Sequence, residues 1–203
     1  SKFIQLLINK TNPKLFVIGY DNKFGFKGSG DYEFLKEILE ENYPNTGLMK
    51  FDEFKFNGEI IKSSFIRKLI SIGNIQKANK LLGSKFRIHG KVIDGKKIGS
   101  SMGFRTANLK VKYIEQILPM HGVYCVNLIL DTLSFKGLCN IGHRPTFNKD
   151  IDNVSIETHL INENIFLYGK DVEIEFLSFV RKEIKFNSPE ELADQIKKDI
   201  KLI

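Results

Sequence analysis

The sequence predicts an α/β domain followed by a small, mainly antiparallel β domain that ends in a helix. Before Gly83, apolar strand-like runs alternate with amphipathic helical patterns, which is typical of α/β folds. After Gly83, short runs of alternating character are separated by glycines and turn residues, and this spacing favours a compact barrel or sandwich. We therefore expect an α/β domain over residues 1–83 and a β domain over residues 84–203.

Local sequence signals predict individual strands and helices in the first half of the chain. Residues 15–19 are a short continuous apolar run, as in a buried parallel strand. Asp31 precedes a helical pattern with apolar residues on one face. Ser63 and Ser64 are placed to cap another helix, and Gly83 is placed to end the one that follows it. This order of elements is that of an α/β domain.

The second half contains strand signals and one helix signal. Ser188, Pro189 and Glu191 form a capping box with proline at the first helical position, so a helix begins there. The expected strands are 86–93, a strand that carries Thr106 and Asn108, and 122–130, 133–141, 154–160 and 172–180.

Composition excludes several classes of function. The net charge is +7, but 26 of the 31 basic residues are lysines and they are scattered, whereas nucleic-acid readers concentrate basic residues and use Arg for base contacts. No apolar run approaches the about 20 residues that span a membrane, and no signal-peptide pattern is visible. Cys125 and Cys139 lie in apolar stretches, as buried free thiols do in a reducing compartment. We expect a cytoplasmic monomer without nucleic-acid or membrane partners.

One motif combines a glycine-rich stretch with two oxygen ligands. Gly99 and Gly103 precede a strand that carries Thr106 and Asn108. Glycines let backbone N–H groups approach phosphate, and hydroxyl and amide oxygens suit Mg²⁺. From spacing alone, a hairpin turn followed by an edge strand is the more common interpretation.

Two further motifs place polar groups on strands or at their ends. Alternation puts Glu157 and His159 on the same strand face, where Glu157 is a candidate general base; a solvent-facing polar face is the alternative. Asn140, Arg144 and Thr146 lie at a strand end that leads into a Gly/Pro turn. An arginine there could meet a phosphate or a carboxylate, or the segment is an ordinary polar loop.

The order of these motifs resembles the bacterial bifunctional riboflavin kinase/FAD synthetase family. The kinase module of that family reads Gly-Lys-Val, Gly-Phe-Pro-Thr-Ala-Asn, Asn-Ile-Gly-x-Arg-Pro-Thr-Phe, Glu-x-His and Leu-Tyr-Gly. The corresponding residues in this chain, in the same order, are Gly90-Lys91-Val92, residues 103–108, residues 140–147, Glu157-Thr158-His159 and Leu167-Tyr168-Gly169.

The resemblance implies a fold and a reaction. The β domain would be a Greek-key riboflavin kinase barrel with a C-terminal helix, and it would transfer the γ-phosphate of ATP to the ribityl 5′-hydroxyl of riboflavin to give FMN. Glu157 would be the catalytic base, and Thr106 and Asn108 would bind Mg²⁺ and ATP. The further residues implied at the nucleotide are Gly90, Lys91, Gly99 and Gly103. Those implied at the flavin or in its support are Asn140, Arg144, Thr146, His159 and Arg181.

The same resemblance makes residues 1–83 the C-terminal part of a Rossmann-like FMN adenylyltransferase domain. The remnant of its site would be Gly19, Asp21, Ser63, Ser64 and Arg67. The family's opening strand with its His-x-Gly-His-type motif is absent, and Phe65 replaces a Thr of the phosphate motif. We therefore expect no FAD synthesis by this chain. In the kinase motif, Arg105 replaces the family's proline, from which we expect an altered affinity for ATP.

Three hypotheses follow for the function. The first is an active riboflavin kinase. The second is a catalytically degenerate protein that binds flavin or nucleotide, to which Arg105 and Phe65 would point. The third is a small barrel that binds single-stranded nucleic acid, which requires exposed aromatic and basic residues on one face. The phenylalanines fall mostly at apolar periodic positions, so the third hypothesis ranks last.

Overall fold

The computed structural model describes residues 2–95, 106–113, 115–143, 154–163 and 165–203. By its contacts the chain forms two compact units, Ser1–Ile61 and Lys62–Ile203. The helices between residues 62 and 83 therefore belong to the second unit. The boundary expected at residue 83 concerns the identity of the domains and stays a prediction. Among the described residues, no helix has the length and apolar character needed to cross a membrane.

The first unit combines two helices, a parallel strand pair and a small hairpin. Its apolar core consists of Ile4, Ile18, Leu35 and Leu39, which come from both helices and the first strand. Asp31 accepts a hydrogen bond from the Phe34 N–H at 3.1 Å, which confirms the expected helix start. The elements are α1 (Lys2–Thr11), β1 (Leu15–Gly19), a 3-10 turn (Phe26–Gly28), α2 (Tyr32–Asn42), β2 (Gly47–Phe51), β3 (Lys55–Phe56) and β4 (Glu59–Ile60). β1 and β2 pair in parallel, and β3 and β4 pair antiparallel.

In its described residues, the second unit has two helices, then six strands and then one helix. Its elements are α3 (Ser63–Ser71), α4 (Ile75–Leu82), β5 (Phe86–Ile93), β6 (Thr106–Val111), β7 (Gly122–Leu130), β8 (Leu133–His143), β9 (Val154–Leu160), β10 (Asp171–Arg181) and α5 (Pro189–Ile200). Every strand expected in the second half is present. The start of α5 is also confirmed, because the Ser188 hydroxyl accepts a hydrogen bond from the Glu191 N–H at 3.3 Å.

The cap expected at α3 was wrong. Lys62 is the N-cap residue, and its side chain makes no capping hydrogen bond. Ser63 already lies inside the helix, and its hydroxyl accepts a hydrogen bond from Arg67 Nη1 at 3.2 Å one turn later. The serine therefore orients an arginine instead of satisfying a backbone N–H group.

The six strands close into an antiparallel barrel with the order β10-β5-β6-β9-β8-β7. Strands β7, β8 and β9 follow one another as hairpins, and β10 returns to lie beside β7. This spatial order is a Greek key, so the barrel and its topology agree with the expectation. Alternate residues of the strands fill the interior, where the most deeply buried side chains include Ile88, Tyr124, Val126, Ile141, Ile174 and Phe176.

Helix α4 is fastened to the barrel by one buried amide. The Asn79 Nδ2 group donates to the Phe176 carbonyl at 2.9 Å, and the Phe86 N–H donates to Asn79 Oδ1 at 2.8 Å. The side chain thus satisfies backbone groups of β10 and β5, which buried polar groups require. Helix α4 ends at Gly83, which adopts the αL conformation with φ of 67°. In the sequence, Gly83 lies between Asn79 and its hydrogen-bond partner Phe86.

Both cysteines are free and buried, and one of them makes stability depend on pH. Burial raises the pKa of the Cys139 thiol from 9.0 to about 12, and the Thr158 hydroxyl opposes part of this rise. The thiol stays protonated in the folded state, whereas it ionises above pH 9.0 in the unfolded chain. Its contribution to stability is therefore complete below pH 9.0 and is lost as the pH rises towards about 12.

We expect Cys139→Val to show a shallower loss of unfolding free energy between pH 9 and 12 than the parent. The slopes of the two curves of unfolding free energy against pH should differ by up to about 1.4 kcal/mol per pH unit. Burial also raises the pKa of Tyr124, so both proteins lose stability and only their difference reports the thiol. Urea titrations at several pH values measure it, and parallel curves would contradict the assignment.

Candidate functional site

Three polar side chains form a row across neighbouring strands of the barrel. Asn108 of β6 pairs with Glu157 of β9, and Glu157 pairs on its other side with Asn140 of β8. Residues directly opposite in antiparallel strands point to the same face, with Cβ atoms about 4.5–5.5 Å apart. Glu157 therefore stands between two amides. The next row on this face contains Thr106 opposite His159, so the structure brings together five residues expected at the site.

A cavity of about 450 Å³ opens at the Asn108 side of this row. Thr106 and Asn108 contribute to its wall, whereas Glu157 lies one strand away from them. Both ends of the connection between β5 and β6, Gly95 and Thr106, also line it. Its full lining is Val92, Ile93, Asp94, Gly95, Thr106, Ala107, Asn108, Thr158, Leu160, Glu163, Ile165, Phe166, Leu167 and Tyr168. A volume in this range suits a small organic ligand.

Two exposed aromatic rings lie at this cavity, and no sequence pattern indicated a role for either of them. Phe166 is 79% exposed and Tyr168 is 55% exposed. Their ring centroids are 6.4 Å apart. Large exposed aromatic side chains next to a cavity are typical of a binding surface for a planar group. They lie between β9 and β10 in a segment without periodic pattern, which explains why periodicity did not reveal them.

Thr158 is a further residue at the cavity for which no sequence pattern indicated a role. It is 1% exposed, it lines the cavity, and its Oγ1 has no hydrogen-bond partner within the described residues. It pairs across the sheet with Cys139, whose thiol is at most a weak hydrogen-bonding group. A buried hydroxyl in a cavity wall is satisfied when a ligand or water occupies that wall.

The Asn140 side of the row is held by a carboxylate from the segment after β10. Asn140 Nδ2 donates to Glu183 Oε1 at 3.4 Å. Glu183 also covers Gly142, since a Cβ atom there would lie 2.9 Å from its carboxyl carbon. Ser155 Oγ donates to the Gly142 carbonyl at 3.4 Å. This side of Glu157 is therefore polar and ordered by hydrogen bonds.

Arg181 holds the same segment through hydrogen bonds of its guanidinium group. Its Nε donates to Asp199 Oδ2 at 2.9 Å, and its Nη2 lies 2.9 Å from that oxygen. Asp199 is 1% exposed and lies on α5. Arg181 Nη1 donates to the Lys182 carbonyl at 3.0 Å. Arg181 thus fastens the last helix and the chain that leads to Glu183.

Two residues expected at the nucleotide lie elsewhere. Gly90 is in the middle of β5 opposite Val111, and a Cβ atom there would overlap the Lys110 carbonyl oxygen and lie 2.7 Å from Leu109 Cγ. Strand packing explains this glycine. Lys91 pairs with Lys110 on an exposed face, and neither residue lines the cavity. Their expected role at the nucleotide stays a prediction. The remaining expected residues, Gly99, Gly103, Arg144 and Thr146, and the substituted Arg105, lie outside the described residues.

The residues expected from the adenylyltransferase site divide between the two units. Gly19 ends β1, and Asp21 follows it in the first unit. Ser63, Ser64 and Arg67 lie on α3 in the second unit. The hydrogen bond from Arg67 to Ser63 is the contact found within that group. Their assignment to one site stays a prediction.

The donor atoms at the cavity suit a hard cation carried by a ligand. The described part of the chain holds no group of three His, Cys, Asp or Glu side chains placed to bind a metal. Thr106 and Asn108, two residues apart on one strand face, offer hydroxyl and amide oxygens. Mg²⁺ commonly takes few protein ligands and completes its shell with water and substrate phosphates, so these residues fit it.

The fold and the site define a class of protein, namely small closed Greek-key barrels with a cavity that residues of β5, β6 and β9 line. Residues 82–203 match the family model Flavokinase, described as riboflavin kinase. Because this match covers more than half of the chain, the protein belongs to the riboflavin kinase family.

Curated relatives extend the similarity over the whole chain. The bifunctional riboflavin kinase/FMN adenylyltransferase of Buchnera aphidicola subsp. Schizaphis graminum is 37% identical, over 100% of this chain and 64% of that protein. The protein of the same description from Bacillus subtilis is 36% identical, over 98% of this chain and 62% of that protein. The chain thus spans less than two thirds of the length of these relatives.

One solved structure has a similar fold over nearly the whole chain. It is described as a macrolide-efflux protein from Streptococcus pneumoniae, and it matches with a TM-score of 0.78 and 28% sequence identity. The match covers 96% of this chain and 61% of that chain.

Proposed function

We propose that this protein is a riboflavin kinase that transfers the γ-phosphate of ATP to the ribityl 5′-hydroxyl of riboflavin. The observation that carries the proposal is the position of Glu157 between Asn108 and Asn140, with the cavity on the Asn108 side. A general base between a nucleotide site and an acceptor site is the arrangement that phosphoryl transfer to an alcohol needs. The family match over residues 82–203 supports the same reaction.

The nucleotide would occupy the cavity. Thr106 and Asn108 would hold Mg²⁺ and the phosphates through their side-chain oxygens, and Val92, Leu160 and Leu167 would pack against the apolar part of the nucleotide. When bound, Mg²⁺ neutralises charge on the transferred phosphate. Positioning and charge neutralisation supply most of the catalysis in phosphoryl transfer.

The acceptor would lie on the Asn140 side of Glu157. The Glu157 carboxylate takes the proton of the ribityl 5′-hydroxyl while that oxygen bonds to the γ-phosphorus and the bond to the β-phosphate oxygen breaks. The products are FMN and ADP. Asn140, held by Glu183, would orient the ribityl chain, and His159 borders the same face next to Thr106.

The aromatic rings at the cavity would stack on adenine. We expect Tyr168→Ala to raise the KM for ATP by the equivalent of about 1–3 kcal/mol, which is what one base–aromatic stack contributes. Tyr113→Ala is the matched control, because Tyr113 is similarly exposed, 53% against 55%, and lies outside the cavity lining. Steady-state kinetics with each substrate varied measure both. A rise in the KM for riboflavin alone would assign the rings to the flavin.

The test of the proposed function is an assay of the purified chain with riboflavin, ATP and Mg²⁺, in which products are separated to distinguish FMN from FAD. FMN that appears only with ATP and Mg²⁺ supports the kinase. Folded protein that binds riboflavin without forming FMN would establish the degenerate binding protein instead. FAD among the products would contradict the expectation that this chain does not make it.

The remaining expectations belong to the same proposal. Residues 1–83 would be the C-terminal part of a Rossmann-like FMN adenylyltransferase domain, which the parallel pair of β1 and β2 supports. The two free thiols and the use of ATP support a cytoplasmic location. We propose that the chain acts as a monomer whose partners are its small-molecule substrates, and sedimentation analysis tests this.

A further inference from the structure

The backbone at Gly95, two residues after the end of β5, approaches the Asn108 side chain so closely that a side chain at this position would displace the Asn108 amide. A Cβ atom at Gly95 would overlap Asn108 Nδ2, and it would lie 2.6 Å from Asn108 Cγ and 3.1 Å from Oδ1. Distances under 3.0 Å are essentially never seen for a real Cβ atom. The contact is between the backbone that follows β5 and the side-chain amide of Asn108 on β6.

Backbone conformation does not explain this glycine. Several glycines of the chain have positive φ, among them Gly83 and Gly169, but Gly95 is not one of them. An alanine could adopt the backbone angles of residue 95. The requirement at this position is therefore space for the Asn108 amide.

The backbone of Asn108 is fixed within the barrel, so its side-chain amide is the part that an added side chain at residue 95 would move. Asn108 is 6% exposed, and its strand is hydrogen-bonded on both sides, with Ile93 as its partner in β5 and Glu157 in β9. The three atoms nearest to a Cβ atom at residue 95 all belong to this amide group. A methyl group at residue 95 would therefore push the amide out of its place in the wall of the cavity, which both residues line.

We propose that Gly95 is a positioning residue for the nucleotide: because it lacks a side chain, the Asn108 amide keeps the place at the cavity from which it would bind Mg²⁺ and the phosphates of ATP. Gly95 acts through Asn108 and performs no chemistry itself. This inference rests on the proposed function, since it concerns the nucleotide of the same reaction.

The first test is Gly95→Ala. We expect the KM for ATP to rise about ten- to a hundredfold, as for a lost charge-assisted hydrogen bond, while the KM for riboflavin stays unchanged. Binding of Mg²⁺–ADP, measured by calorimetry without turnover, should weaken by a similar factor. An unchanged KM for ATP and unchanged Mg²⁺–ADP binding would overturn the inference.

A matched glycine variant separates this effect from a general loss of stability. Gly83→Ala places a methyl group where nothing lies within 4 Å, but at a φ of 67° that strains the backbone. We expect it to lower the melting temperature and leave the KM for ATP unchanged. If Gly83→Ala raises the KM for ATP as much as Gly95→Ala does, lost stability explains both and the inference is wrong.

The decisive test is the double variant Gly95→Ala/Asn108→Ala. If Gly95 acts through the amide, the alanine at 95 adds nothing to the effect of Asn108→Ala, because the group it would displace is gone. Full addition of the two effects would refute the positioning role. Should Gly95→Ala alone fail to fold, the double variant still decides, because it lacks the amide atoms that lie within 3.1 Å of the added methyl group. If the parent chain makes no FMN, the proposed function fails, and the Mg²⁺–ADP titrations of the four proteins still test the positioning role.

Discussion

Glu157→Gln should lower the turnover number for FMN formation by about 10²–10⁴, which is the usual contribution of a positioned general base. The amide keeps the shape of the side chain and its place between Asn108 and Asn140, but it cannot take the proton of the 5′-hydroxyl. The loss should therefore appear in kcat, with the KM values for ATP and riboflavin within a few-fold of the parent. Steady-state kinetics with product separation measure this.

A second glutamate of the barrel provides the control. Glu175 is also in mid-strand, and it also has an asparagine opposite, Asn127, whose Nδ2 donates to it at 3.1 Å. It additionally binds Arg87 at 2.7 Å, and it lies away from the cavity. Glu175→Gln should leave kcat unchanged at temperatures where the variant is folded. Equal losses in the two variants would mean that Glu157 acts on the fold, and a Glu157→Gln enzyme with parental kcat would remove it from the mechanism.

The strands could be predicted from the sequence because their signals are local. The alternation over residues 122–130 and 154–160 gave β7 and β9 with the observed bounds. It also placed Glu157 and His159 on one face, where β6 and β8 supply their partners. The alternation of residues does not predict which strands pair with one another. The row Asn108–Glu157–Asn140 depends on pairings between strands that are far apart in sequence, and only the motif order made these residues candidates together.

The roles of Gly95 and Thr158 could not be predicted from the sequence, and the physical reason is the same for both. Gly95 matters because the chain just after β5 approaches the Asn108 amide. Thr158 matters because its buried hydroxyl lies in the cavity wall without a hydrogen-bond partner in the described part of the chain. Neither property has a local sequence signal. Ser63 shows the opposite case, since it has a local signal for a cap, but the helix already begins at Ser63 and its side chain does not cap it.

The second large effect concerns the buried ion pair between Arg181 and Asp199. Arg181→Met should lower the free energy of unfolding by about 3–5 kcal/mol, because it leaves a buried carboxylate without its cation. Asp199 is 1% exposed, and Gln195 Nε2, at 2.8 Å, is its other hydrogen-bond donor among the described residues. For a chain of this size the melting temperature should fall on the order of 10 °C. Calorimetry and urea titration measure the two quantities.

An exposed ion pair on the same helix is the matched control. Lys197 and Asp194 lie 3.2 Å apart with side chains 63% and 67% exposed, and exposed pairs contribute about 0–1 kcal/mol. Lys197→Met should therefore change stability little. Arg181→Met/Asp199→Leu removes both charges and should recover most of the loss. A double variant as unstable as Arg181→Met would attribute the loss to packing of the arginine stem.

The same variant connects stability to the acceptor side of the site. Arg181 Nη1 holds the Lys182 carbonyl at 3.0 Å, and the next residue, Glu183, accepts the hydrogen bond of Asn140. Loss of the arginine should therefore release Glu183 from Asn140 and raise the KM for riboflavin, measured at a temperature where the variant is folded. The KM for ATP should stay the same, because Asn140 does not line the cavity and β9 separates it from Thr106 and Asn108. An equal rise in both KM values would show that α5 supports the whole barrel end, and that Arg181 has no selective effect on the acceptor side.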